Sequence, residues 1–102
     1  MQNDPYYERC CVTGEHRTRT KIDWHHNLIY AGRQVNEKWC ILPLARWVHD
    51  KANRSDIKQY LDWIMLNRAT DEDLDRYPKA KLKVRRALLN KCYENKENYP
   101  VL

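Results

Sequence analysis

Phenylalanine is absent from this chain, so its aromatic bulk rests on four tryptophans and seven tyrosines. No apolar run approaches the roughly 18 residues needed to cross a bilayer, so no spanning helix is expected. Gly/Ser linkers, low-complexity tracts and internal repeats are also missing, and 102 residues support one compact domain, not two. The opening stretch MQNDPYYERCC has neither a basic n-region nor an apolar h-region. No signal peptide is therefore expected, and a cytosolic protein is the default. Cysteine is scarce: Cys10, Cys11, Cys40 and Cys92 form no paired C-x-x-C knuckles, which argues against a closed four-ligand zinc site. In the cytosol these thiols stay reduced. Cys40 and Cys92 read as small buried hydrophobes, while Cys10 and Cys11 stay open.

Acidic residues are missing from one region in particular. Residues 78–91, PKAKLKVRRALLNK, carry six basic side chains and no carboxylate, whereas the preceding TDEDLDR carries four carboxylates. The chain as a whole has a formal charge of +5. A basic stripe that includes Lys79, Lys83 and Arg86 suits a phosphate backbone. A solvated helix face accounts for it equally well.

The pattern along the chain predicts an α+β protein. Gly14 in CVTGEHR marks a turn, and TKIDWHHNLI is rich in the β-branched and aromatic residues that favour a strand. AGRQVNE is a polar loop in which Gly32 is free to take positive φ. KWCILP reads as a second short strand stopped by Pro43, and LARWVHDKAN as a helix with Leu44, Trp47 and Val48 on one side. Ser55 is placed to cap a helix carrying Ile57, Tyr60, Leu61, Ile64 and Met65 at i, i+3, i+4, i+7 spacing. Thr70 caps the acidic segment, whose carboxylates sit where the helix dipole favours them. Pro78 opens the last helix, with Leu82, Leu89 and Tyr93 on one stripe and Val84, Leu88 and Cys92 beside it.

The residues that bear chemistry fall in the first half: Asp23-Trp24-His25-His26-Asn27, then Asn36, then Ile41-Leu42-Pro43-Leu44, then His49 and Asn53. Two histidines ending a strand, a loop with an Asn, a second strand and a helix with a further His make a ββα order. This order resembles the HNH endonucleases, the ββα-metal nucleases. The resemblance is carried by DWHHNLIYAGRQVNEKWCILPLARWVHDKAN. The C-x-x-T-G turn at Cys10–Gly14 and the LNRATDEDL…YP stretch look like small phage and prophage members.

The resemblance implies a ββα core over about residues 9–53 with a helical C-terminal extension over about 55–96, all in one domain. It implies a metal-dependent DNA endonuclease, in the cytoplasm of a phage-infected or lysogenic bacterial host. His26 would be the general base, imidazole being the natural side-chain base near neutral pH. His25 and His49 would hold one divalent metal, with Asn53, one helical turn beyond His49, as a further ligand or phosphate contact. Mg²⁺ or Mn²⁺ would serve, and Zn²⁺ or Ni²⁺ could occupy the site. Asn36 fits the Asn that positions the base, with Asn27 as its rival. Arg33 in the loop is a planar donor fork suited to phosphate. A homodimer would suit cutting of both strands.

Three alternatives stay open. Asp23 shares a strand face with His25 and is a substitute ligand. Adjacent strand residues face opposite ways, so His25 and His26 serve one site only where the strand twists, bulges or ends. The helix has no L-C-x-x-C-H staple, so Trp24, Trp39 and Trp47 would supply packing, and His16 reads as structural. A catalytically inactive HNH-like module that binds DNA or protein, such as a phage inhibitor or recombination accessory, is the first rival. A structural zinc protein using Cys10 or Cys11 is the second.

Overall fold

β1 (Ile22–His26) pairs antiparallel with a strand that follows it 15 residues later, Ile41–Ala45. Between them lies a two-stranded hairpin, β2 (Ile29–Tyr30) and β3 (Arg33–Gln34), so Ile41–Ala45 is β4. The hairpin turn is Ala31-Gly32, with φ of +52° and +79°. Two successive positive φ angles match the twist of the flanking strands, which is why a glycine stands there. The computed structural model describes residue 1 and residues 3–102. Among them are four α-helices, α1 (Arg46–His49), α2 (Ser55–Arg68), α3 (Asp71–Asp75) and α4 (Leu82–Tyr93). The fold is α+β with two small antiparallel sheets, as its composition and patterning predict. None of these helices is long and apolar enough to cross a membrane.

Pro43 does not stop the second strand; it sits in the middle of β4 opposite Trp24. The reason lies in the ladder. Arg46 N bonds Lys21 O and Asn27 N bonds Cys40 O, each at 2.9 Å, so the Trp24–Pro43 pair is a non-hydrogen-bonded one. The missing proline N–H therefore faces away from β1, where it costs no ladder bond. The proline carbonyl on that side accepts from Cys11 N at 2.9 Å. Lys38–Cys40, expected within the strand, instead forms a 3-10 turn that feeds it.

β4 is buried along its whole length. Its Leu42 and Leu44 side chains are fully buried, in one core with Ile57, Leu61, Met65 and Leu66 of α2 and Leu82, Leu89 and Tyr93 of α4. The apolar stripes predicted for both long helices thus form the core, except that Tyr60 and Ile64 are only partly buried. Val84 and Leu88, beside the α4 stripe, are exposed. The helix boundaries shift for physical reasons. α2 starts with Ser55 as its first residue, not its cap. Pro78 opens a separate 3-10 turn, and Lys81, at φ +50°, breaks the chain before α4 begins.

Thr70 caps α3 as predicted: Asp73 N donates to Thr70 Oγ1, and Thr70 N donates back to Asp73 Oδ2. The acidic α3 and basic α4, adjacent in sequence, pair with each other in space. Lys83 reaches Asp75 at 2.8 Å and Arg86 reaches Asp71 at 2.5 Å. Cys10 and Cys40 are buried, all four cysteines are free, and burial pushes the Cys11 and Cys40 thiols up to about 12. Such thiols are poor nucleophiles. Of the three tryptophans expected to pack in place of a staple, only Trp39 is buried; Trp24 and Trp47 are largely exposed.

Candidate functional site

The pleat of β1 sorts its side chains. Asp23 and His25 stand opposite Leu44 and Leu42, on the face that looks toward the helices. β4 runs directly into α1, which carries His49 back over that face. The His25 and His49 rings lie 5.0 Å apart, centre to centre, at 65°. Asp23 joins them: its Oδ2 is 2.9 Å from His49 Nδ1. Arg46, at the start of α1, donates to both carboxylate oxygens of Asp23, at 2.7 and 3.1 Å. The guanidinium, with help from His49, holds the Asp23 carboxyl below the usual carboxylate range. An ionised Asp23 accepts the Nδ1–H of His49, which leaves the His49 Nε2 lone pair free.

His25 is oriented by a second chain of contacts. Its Nε2 lies 3.2 Å from Asn27 Oδ1, and Asn27 Nδ2 donates to Asp62 Oδ1 at 2.8 Å. Asp62, buried on α2, also accepts from Lys58 at 2.5 Å and from Arg85 at 2.8 Å. An Asn27 amide that donates through nitrogen must present its oxygen to His25, so His25 Nε2 carries the proton and Nδ1 the lone pair. Burial, then the nearby His49, hold the His25 pKa below its ordinary value against the opposing Asn27 bond, with smaller help from Lys58 and His26.

A stability prediction follows from that shift. Above the ordinary histidine pKa of about 6.5, His25 is neutral folded or unfolded and stability is at its full level. Below it the unfolded chain takes up a proton that folded His25 refuses, so stability falls with pH until the folded pKa is passed. Thermal melts from pH 7.5 to 5 should show this slope, and His25→Gln should flatten it. An unchanged slope in the variant would contradict the shift.

The other residues singled out in the sequence lie as follows. His26 stands opposite Ile41, and the β1–β4 register runs unbroken through it, so the pleat directs it to the face shared with Trp24. That face looks toward the N-terminal turn, where Tyr7 packs edge-on against Trp24 at 6.2 Å. Asn36 is exposed between β3 and β4, and its side chain makes no hydrogen bond among the described residues; Asn27, its rival, is the amide inside the cluster. α1 ends at His49 and continues as tight turns, with Ala52 N bonding His49 O, so Asn53 is exposed in a turn and not one helical turn along. Arg33 and Lys79 are exposed, whereas Lys83 and Arg86 are held by α3. His16 is bound to Thr18 and Glu8, away from the cluster.

Sequence reasoning missed Asp62, Lys58, Arg46 and Arg85. A faint signal existed for two of them: Lys58 and Asp62 are an i, i+4 pair beside the buried stripe of α2. Arg46 and Arg85 gave none.

The donor chemistry suits a divalent ion. Two imidazoles, each with one nitrogen tied back to a side-chain oxygen, match the usual way histidine is presented to a metal. Two imidazoles on one ion at about 2.1 Å have ring centres roughly 5 Å apart, the separation seen here. Among the described residues no group of three or more His, Cys, Asp and Glu side chains is gathered to hold an ion. Beside the cluster runs an open groove of about 600 Å³ lined by Ile22, Asp23, Trp24, Arg46, His49 and Asp50. The chain matches no model of a protein family, no curated protein and no solved structure.

Proposed function

We propose that this protein is a metal-dependent DNA endonuclease of the ββα-metal type, with His25 and His49 holding one divalent ion. One observation carries the reading: residues 24 apart in sequence bring two oriented imidazoles together, on a strand and on the helix that follows its partner strand. When bound, the ion supplies charge stabilisation at the scissile phosphate and at the leaving 3′-oxygen. Asp23 and Asn27 hold the two imidazoles in place. β1 is the outer strand of its sheet, so His25 and His26 flank the same open edge from opposite faces. Along that edge the N–H groups of Trp24 and His26 point away from β4 and can donate to phosphate oxygens. The unbroken pleat puts His26 on the face opposite the ion site, so for His26 to take the proton from the attacking water, that water has to bridge this edge. Exposed Arg33 and Lys79 add charge for the backbone, so binding weakens steeply with salt.

The test is nicking of supercoiled plasmid with Mg²⁺ or Mn²⁺, with and without chelator. Chelator should abolish nicking, and His26→Ala should lower its rate by about 10²–10⁴-fold while leaving metal affinity unchanged. Nicking by His26→Ala at the full rate would remove His26 as the base. The second reading, a catalytically silent module that binds DNA or protein, draws on one observation: the unbroken pleat of β1 puts His26 on the face opposite His25. It is selected if the protein retards DNA but nicks it under no metal condition.

A further inference from the structure

We propose that Asp62 is a positioning residue for His25, acting through Asn27 to set which nitrogen of the ring faces the site. The proposal goes beyond the nuclease reading in assigning this role, and its purpose rests on that reading.

A carboxylate in the buried stripe of a helix needs a reason. Packing alone would be served by leucine, without the cost of desolvating a charge. Asp62 is 8% exposed, and its two oxygens are divided among three donors. Lys58 and Asn27 share Oδ1, and Arg85 takes Oδ2. Lys58 and Arg85 hold the carboxyl group in place, and it has no N–H to offer, so Asn27 Nδ2 donates to it. Asn27 is itself 4% exposed, and its Nδ2 points to Asp62 and to Met65 Sδ at 3.5 Å. Its amide therefore has one orientation, with Oδ1 toward His25 Nε2 at 3.2 Å. A neutral acceptor-donor at position 62 would permit the amide to turn over, and its NH₂ would then oppose the His25 Nε2–H.

The arrangement repeats the one around His49. There Arg46 clamps Asp23, and Asp23 fixes the His49 ring directly. Here Lys58 and Arg85 clamp Asp62, and Asp62 fixes the His25 ring through one intervening amide. Two carboxylates, Asp23 paired with Arg46 of α1 and Asp62 with Lys58 of α2 and Arg85 of α4, orient the two imidazoles. Asp62 lies 35 residues from Asn27, so α2 is more than an appendage: it is part of the machinery that aims the site.

The experiment uses the ¹⁵N-labelled 102-residue chain without metal at pH 8.5, well above the ordinary histidine pKa of about 6.5. Long-range ¹H–¹⁵N spectra should show wild-type His25 as a single Nε2–H tautomer with a slowly exchanging ring proton. In Asp62→Asn that proton should exchange too fast to detect, and the ring nitrogens should move toward the averaged values of free imidazole. The His49 signals, held by Asp23, should stay put. If Asp62→Asn does not fold, Asn27→Ala breaks the same link and should give the same result. A His25 signature unchanged in the folded variants overturns the proposal. Mn²⁺ titration of the same samples separates the two layers of the argument. A loss of affinity of about 10–100-fold supports both the link and the metal reading. An altered His25 signature with unaltered affinity upholds the link and sinks His25 as a ligand.

Discussion

The double variant His25→Ala, His49→Ala is expected to lose stoichiometric Mn²⁺ binding altogether, and with it all metal-dependent nicking. Removal of an orienting partner costs roughly 10–100-fold in metal affinity; removal of both proposed nitrogen ligands leaves only Asp23, which Arg46 already occupies through both oxygens. Each single variant should therefore cost more than 100-fold. The fold should survive, because both rings are only partly buried and neither belongs to the core. Calorimetric titration with Mn²⁺ measures the affinity, and circular dichroism checks the fold. Wild-type affinity in the double variant would remove the site. Loss of binding in Asn53→Ala to the same degree would instead extend the ligand set to the turn after α1.

The largest effect on stability is expected at Leu61. It is fully buried on α2, in the core shared with Leu42 and Leu44 of β4 and with Leu82 and Leu89 of α4. Leu61→Ala removes apolar contact and leaves a cavity between the sheet and two helices, which costs about 2–5 kcal/mol. A domain of this size is held by only about 5–15 kcal/mol, so the melting temperature should fall by at least about 10 °C. Lys79→Ala, exposed on the 3-10 turn before α4, should change stability by less than about 0.5 kcal/mol. Chemical denaturation of both variants makes the comparison. A cost below about 1 kcal/mol for Leu61→Ala would mean that the sheet and helices do not share one core.

Local patterns foretold the elements but not their ends. β-Branched and aromatic content located β1, and i, i+3, i+4, i+7 spacing located the core stripe of α2, because burial of one face is what that period records. Pro43 misled because a proline in a strand is harmful only where its nitrogen faces a partner, and that depends on register. α1 was drawn too long because LARWVHDKAN has helical spacing, yet β4 claims Leu44 and Ala45 and the chain turns after His49.

The site was legible in its histidines and illegible in what surrounds them. His25 and His49 stood out by residue type and order. Asn27 was weighed only as a rival to Asn36, and nothing local shows that its partner is Asp62 on α2. The same limit applies to charge. TDEDLDR and the basic run after it look like two separate surfaces in sequence, but α3 and α4 lie side by side and neutralise Lys83 and Arg86. Contacts between distant segments decide both matters, and no local period encodes them.

One measurement reaches the central claim directly: a crystal of the wild-type protein soaked in Mn²⁺, with the ion located by anomalous scattering. The account predicts a single site with one ring nitrogen of His25 and one of His49 each about 2.0–2.3 Å from it, and Asp23 still bonded to His49. An ion bound elsewhere, or no ion between these two rings at saturating Mn²⁺, would contradict it.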